Sequence, residues 1–197
     1  TQSTGYEFSL NTVNLTGPFK WNTTLNISSY NDRWKERNPD VVLAPYEKED
    51  APIRAIYGCV SDGILQIGET PPASMPDLLP GQMKVKDLNG FDPNDGSKLL
   101  GHPDGKIDAA DRIYLGSTDP KVIIGFGNMF EYKNFDLNIF FYGMFGQYVA
   151  NSNRAKYGPS GCEYILQRQN YSKEVLERWT PDNPTNKFPS GFYSAYY

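Results

Sequence analysis

The sequence predicts an all-β chain, and within that class an antiparallel segment of a transmembrane β-barrel wall with long external loops. Three observations carry the expectation. Apolar residues alternate with polar ones over stretches of roughly 10 to 12 residues, twice a usual strand and close to the ~9–11 residues of a tilted membrane-crossing strand. These stretches come in pairs joined by tight turns. The segments between the pairs are far longer, and short turns at one end with long loops at the other are a barrel's asymmetry.

The first pair opens the chain. In "GYEFSLNTVN", Tyr6, Phe8 and Leu10 share one face and Glu7, Ser9 and Asn11 the other. In "FKWNTTLNISSY", Phe19, Trp21, Leu25 and Ile27 alternate with Lys20, Asn22, Thr24, Asn26 and Ser28. Gly17-Pro18 between them marks a hairpin turn.

The second pair follows residue 120. Val122, Ile124, Phe126, Phe130 and Tyr132 lie opposite Gly125, Gly127, Met129 and Glu131. After Lys133-Asn134, the residues Phe135, Leu137, Ile139, Phe141 and Phe145 lie opposite Asp136, Asn138, Phe140, Tyr142 and Met144. Tyr6, Phe19, Trp21, Tyr30, Tyr132 and Phe135 fall near strand ends, where an interfacial aromatic girdle sits. The pattern divides the chain into a hairpin at 1–30, a loop region at 31–120, a hairpin at 121–146 and a loop region at 147–197. Segment 172–179 reads as a short helix with Ser172 as its N-cap.

Composition sets the limits. The chain has 197 residues, a net charge of -4 and no basic cluster, which argues against a nucleic-acid partner. It shows no secretory leader, and no apolar run approaches a membrane helix, so any contact with lipid is made by strands. Cys59 and Cys162 are too few for a disulfide scaffold and lack zinc-site spacing; one bridge and two separate thiols both stay open. The single histidine, His102, reads as a solvated turn residue. No Ser-His-Asp set or phosphate-cradling loop can be assembled, and the chain is expected not to be an enzyme. The sequons at Asn14, Asn22 and Asn26 read as the Asn and Thr usage of a polar lumen face.

The acidic stretch "VKDLNGFDPNDGSKLLGHPDGKIDAADRIYLG" carries the sharpest chemical pattern. With Phe91–Pro103 set aside as an insertion, "DLNG" joins "DGKIDAAD" in the register of a calcium loop. Asp87, Asn89, Asp104, Asp108 and Asp111 fall at the side-chain ligand positions, Lys106 at the backbone-carbonyl position and Gly105 at the sharp turn. A hard divalent cation would offset the repulsion among the carboxylates. Two features depart from the pattern: Asp in place of the final Glu, and the insertion itself. The expected ion is a structural Ca²⁺ held weakly, at roughly 10⁻⁴ to 10⁻³ M. The competing reading is a metal-free loop of side-chain-capped turns.

With the insertion excised, "PGQMKVKDLNG…DGKIDAADRIYLGSTDPKVIIGFGNMFEYKNFDLNIFFYGMFG" resembles the C-terminal half of SusC/RagA-family TonB-dependent transporters from the outer membrane of Bacteroidota. "TQSTGYEFSLNTVNL", "PIRAIYGCVSDGILQ" and "RWTPDNPTNKFP" extend the resemblance over most of the chain. It implies a 22-stranded type of barrel around an N-terminal plug, a SusD-like surface lipoprotein as lid, and import of glycans or peptides with energy delivered through TonB. About four strands cannot close round a lumen, so the chain is expected to be a piece of a longer protein. Its short turns should face the periplasm and its long segments the cell exterior. There the exposed aromatics Trp34, Tyr46, Trp179, Tyr193, Tyr196 and Tyr197 are the candidates for contact with substrate or partner. The alternatives are a soluble calcium-dependent carbohydrate-binding β module and, on scattered carboxylates alone, a glycoside hydrolase domain.

Overall fold

The computed structural model describes residues 1–92, 94, 96–153 and 171–191. Its strands are β1 (Gln2–Thr16), β2 (Phe19–Arg33), β3 (Ala55–Gly58), β4 (Ser61–Ile64), β5 (Met83–Val85), β6 (Asn89–Phe91), β7 (Lys98–Leu100), β8 (Ile113–Ser117), β9 (Val122–Tyr132) and β10 (Phe135–Phe145). The fold is all-β. It comprises two compact units, one of residues 1–43, 47–56 and 115–149 and one of 44–46, 57–114 and 150–197.

The first unit is built on a four-stranded antiparallel sheet in the order β1-β2-β9-β10. Strands distant in sequence meet at its centre, where Phe19 pairs with Tyr132, Trp21 with Phe130 and Leu25 with Phe126. β1 and β2 each run 15 residues, longer than their alternation suggests, because Ser3, Thr4, Asn31 and Asp32 continue the ladder beyond the apolar rows. The β9–β10 turn is Lys133-Asn134, and Lys133 has φ 55°, the sign a tight primed turn requires of its first residue. Asparagine and glycine hold such a conformation more readily than lysine does.

The register puts the alternating residues on one apolar face. That face stays open: Leu137 is 56% exposed and Phe141 61%. From the Phe19 row to the Ser29 row is about ten residue steps, which at ~3.3 Å each and a tilt of about 40° rise about 25 Å, the height of a barrel's apolar band. Tyr30 departs from expectation. It stands on the polar face in register with Lys20 and Asn22, so the girdle at that end of the strands comes from Tyr6 and Phe145.

The second unit is held by a small core of Leu65, Met75, Leu78 and Val85, against which Ile107 packs. Its β4–β5 pair is antiparallel, as is its β6–β7 pair. The segment 172–191 closes onto this core: Trp179 N–H donates to the Phe188 carbonyl (2.9 Å) and Ser190 N–H to the Gly81 carbonyl (2.7 Å). In place of a helix over 172–179 there is a 3₁₀ segment at Lys173–Glu177, and Ser172 makes no side-chain capping bond. Tight 3₁₀ turns suit so short a run, which has too few residues to repay helix nucleation.

Candidate functional site: two wall faces, an acidic loop and an aromatic cluster

The apolar face ends, beside the short turns, in an aromatic layer. Phe19 stacks on Phe130 (centroids 6.0 Å), Trp21 on Phe130 (5.8 Å), and Phe19 lies tilted against Tyr132 (6.4 Å). Two rows above Phe19 the face is broken by polar groups. Thr12 Oγ1 donates to Asn14 Oδ1 (3.0 Å), Asn14 Nδ2 to Thr23 Oγ1 (2.7 Å), and Thr23 Oγ1 to Asn128 Oδ1 (2.8 Å). Trp21 Nε1 donates to the same Asn128 oxygen (2.9 Å). This row lies about 10 Å above the Phe19 layer, near the middle of the band. Asn14 falls on the apolar face by the same period as Leu10 and Thr12, which corrects its reading as a lumen-face residue, and the register shift between Val13 and Leu15 returns Leu15 to it beside Trp21.

The opposite face is polar with an aromatic strip. Lys20 pairs with Glu131 at 2.8 Å. Phe140 lies over two glycines, because a Cβ at Gly125 or Gly127 would stand 3.5 or 3.4 Å from its ring. Phe140 and Tyr142 are 63% and 61% exposed, with Asn138 on the same strand face.

In the second unit the insertion folds out as the β6–β7 hairpin, with Asn89 opposite Leu100 and Phe91 opposite Lys98. Its base brings the two halves of the acidic register together, so closely that a Cβ at Gly90 would meet Asp104 Cβ at 2.5 Å. Asp87 accepts from Asp104 N–H (3.3 Å) and Gly105 N–H (2.8 Å), and Asp104 from Lys106 N–H (3.0 Å). Asp108 and Asp111 form a capping box around Ala109–Asp111. Asp111, 0% exposed, accepts Leu88 N–H (2.8 Å) and Asn89 N–H (3.2 Å) on one oxygen and Asp108 N–H (2.9 Å) on the other. Asn89 is buried, accepts Gly101 N–H (2.9 Å) and donates to the Ala110 carbonyl (2.9 Å).

The fit to calcium can be read from these bonds. Every side chain of the register is turned to backbone N–H groups, and among the described residues no group of three or more His, Cys, Asp or Glu side chains converges as a metal site. As placed, Asp87, Asn89, Asp104, Asp108, Asp111 and the Lys106 position do not form the ligand set. The backbone donors offset part of the repulsion among these carboxylates in the arrangement described.

The candidate contact aromatics divide. Tyr46 is half-buried, with Tyr57 at 5.1 Å and the Arg112 guanidinium 5.3 Å from its ring centre, while Tyr57 in turn meets Tyr114 edge-on at 6.0 Å. Tyr114 is 49% exposed. Trp34 is half-buried beneath the Arg37 guanidinium (5.1 Å), and Arg37 is itself tied to Glu47 (3.1 Å) and the Lys48 and Glu49 carbonyls. Trp179 corrects the expectation of an exposed aromatic. It is 5% exposed, wedged against Gly81, and its indole N–H donates to Gln66 Oε1 (2.9 Å). Tyr193, Tyr196 and Tyr197 lie outside the described residues, as does Cys162; Cys59 is exposed. His102 is exposed in its turn.

Sequence reasoning missed Tyr57, Arg112 and Tyr114. Arg112 and Tyr114 lie far along the chain from Tyr46 and Tyr57, and only the fold brings Arg112 to Tyr46 and Tyr114 to Tyr57. The polar row was within reach of the sequence, since Thr12, Asn14, Thr23 and Asn128 all keep the period of their apolar neighbours.

Long antiparallel strands with one open apolar face and one polar face define a segment of β-barrel wall. No family model matches the chain. Over 95% of its length it is 32% identical to TonB-dependent receptor P26 of Formosa agariphila and 28% identical to TonB-dependent receptor P3 of the same bacterium. The chain spans about a fifth of the length of these relatives, 19% and 18%.

Proposed function

We propose that the chain is the wall-and-loop portion of an outer-membrane TonB-dependent transporter of the SusC/RagA type. It works there with a SusD-like surface lipoprotein to import glycans or oligopeptides, on energy delivered through TonB. The observation that carries this reading is the open apolar face over about 25 Å of strand. Similarity to TonB-dependent receptors across nearly the whole chain supports it. A soluble carbohydrate-binding sandwich would bury Phe126, Ile139 and Phe141 against a second sheet, and all three are exposed. The two outer strands, β1 and β10, are where neighbouring barrel strands would pair.

In this role the residues act without chemistry. Phe19, Trp21, Leu25, Ile27, Ile124, Phe126, Leu137, Ile139 and Phe141 face hydrocarbon. Phe140 and Tyr142 offer the lumen flat apolar surface between asparagines, suited to a sugar ring or a peptide side chain. Tyr46, Tyr57, Tyr114 and Arg112 belong to the long segments between the hairpins and are, in this reading, the patch for the lipoprotein, since tyrosine and arginine are enriched among the residues that carry interface binding energy. This reading does not draw on a cation in the acidic loop, where Asp87, Asp104, Asp108 and Asp111 accept backbone N–H groups.

The test is to express the full-length receptor with its neighbouring lipoprotein. The expected result is recovery in the outer-membrane fraction, co-purification of the lipoprotein, and about tenfold weaker capture by Tyr114→Ala. Uptake of labelled oligosaccharides against oligopeptides then assigns the cargo. Recovery of the receptor as a water-soluble protein overturns the reading.

A further inference from the structure

Arg112 carries a charge that no carboxylate among the described residues pairs with. Arg33, Arg37 and Arg54 each face one, at 3.8, 3.1 and 3.3 Å, whereas Arg112 makes no ion pair and no side-chain hydrogen bond among the described residues. Its neighbour Asp111 is fully buried, with both oxygens on backbone N–H groups. The exposed Arg112 side chain is nonetheless held at both ends. Its backbone closes the 3₁₀ turn that the Asp108–Asp111 capping box fixes, and its guanidinium sits over the Tyr46 ring, 5.3 Å from the centre. Tyr46 packs in turn on Tyr57, and Tyr57 meets Tyr114 edge-on. Arg112 is extended (φ -71°, ψ 133°) at the entry to β8, so the strand period sets it on the same side as Tyr114.

We infer that Arg112 is a fork for one carboxylate of the lipoprotein, an aspartate or glutamate side chain seated on two of its N–H groups beside Tyr114. The inference rests on the reading above that this cluster is the lipoprotein's patch. Three features select this occupant. An accessible guanidinium with no partner calls for an anion, and the anion that a protein side chain presents is a carboxylate. A guanidinium lying over a ring keeps its in-plane N–H donors, whose spacing matches two carboxylate oxygens side by side. Because the ring and the capped turn already restrict its rotamers, Arg112 loses less freedom on pairing than a loose surface arginine does. The tyrosines beside it would keep water from the pair and strengthen it. A neutral sugar ring fits the cluster less well, since Arg112 and Tyr57 already stand against Tyr46.

The experiment measures capture of the lipoprotein by the full-length receptor in detergent, for the wild type and for Arg112→Ala, Arg112→Gln and Arg112→Lys. The alanine and glutamine variants are each expected to weaken capture about tenfold, and Arg112→Lys, which keeps the charge but not the fork, to restore only part of it. Arg178 also lacks an ion pair among the described residues but has no ring beneath it, and Arg178→Ala should leave capture unchanged. Added salt should weaken the wild type more steeply than Arg112→Gln. An alanine scan of the lipoprotein's aspartates and glutamates should then find one position that weakens capture by the wild type and not by Arg112→Gln. Amide exchange over residues 85–112 reports whether each variant keeps its loop, and if Arg112→Ala does not, Arg112→Gln decides. Full capture by a folded Arg112→Gln, full restoration by Arg112→Lys, or a scan without a coupled carboxylate overturns the fork. If Tyr114→Ala still weakens capture in that case, the lipoprotein patch stands; if Tyr114→Ala has no effect either, the patch falls with the fork.

Discussion

Trp21 donates its indole N–H to Asn128 Oδ1 at 2.9 Å, across two strands separated by a hundred residues of chain. An indole nitrogen only donates, so the bond also fixes which end of the Asn128 amide faces Trp21. Thr23 shares that oxygen at 2.8 Å. Asn128→Leu would leave both donors without an acceptor in hydrocarbon, where no water replaces it. The expected cost is about 1 to 3 kcal/mol, read as a lower urea midpoint for the receptor in liposomes. The triple change Trp21→Phe, Thr23→Val, Asn128→Leu removes donors and acceptor together and should recover most of the loss.

Charge reversal separates the two faces. Leu25→Arg or Ile139→Arg, near mid-band on the apolar face, should cost about 2 to 4 kcal/mol in the same unfolding measurement. Asn26→Arg, one residue along β2 and on the polar face, should cost under about 1 kcal/mol. Equal costs would mean that the apolar face does not meet lipid.

Asp111 gathers three backbone N–H groups while fully buried, and it is the keystone of the acidic loop. Asp111→Ala strands all three donors and should destabilise the second unit by about 3 kcal/mol or more, seen as faster amide exchange over residues 85–112. Because the backbone already compensates the loop, millimolar calcium should shift neither the wild-type nor the variant exchange pattern. A calcium-dependent slowing in the wild type would restore the cation site at Asp87, Asp104 and Asp108.

Glu69 titrates below its ordinary value of 4.5, first because its carboxylate accepts the Gln66 backbone N–H and then because Lys84 stands 3.2 Å away. A depressed carboxyl pKa stabilises the fold above the unfolded value, and that contribution disappears as pH falls through the folded one. The loss therefore falls below about pH 4.5. Glu69→Gln should flatten the acid limb of a stability-against-pH curve in that window and leave the curve at neutral pH nearly parallel to the wild type. A steeper acid limb in the variant would reverse the sign.

The wall was legible because a two-residue period writes its buried or lipid-facing side into the sequence directly. Phe19, Trp21, Leu25, Ile27, Leu137 and Phe141 could be placed on one face before any coordinates. Asn14 was read with the lumen face for its polarity, although its period already set it beside Thr12 on the apolar side. Trp179 was misplaced for another reason. Its burial depends on Gly81, whose φ of 90° and missing side chain let the indole settle, and on Gln66, more than a hundred residues away, as acceptor. The order of the acidic residues was readable, including the interruption, but not the direction of their oxygens. The backbone path sets which amide N–H groups those oxygens meet, and no period in the sequence encodes it.

The β6–β7 hairpin leaves and rejoins the acidic loop at neighbouring points. Asn89 is tied to Gly101 at its base, and Asp87 is tied to Gly105 beyond it. Nothing downstream depends on how far the excursion travels, and lengthening a surface excursion adds little closure entropy. A peptide tag spliced between Asp92 and Ser97 should therefore leave the knot beneath it undisturbed, and on the orientation proposed above it would be read from outside intact cells.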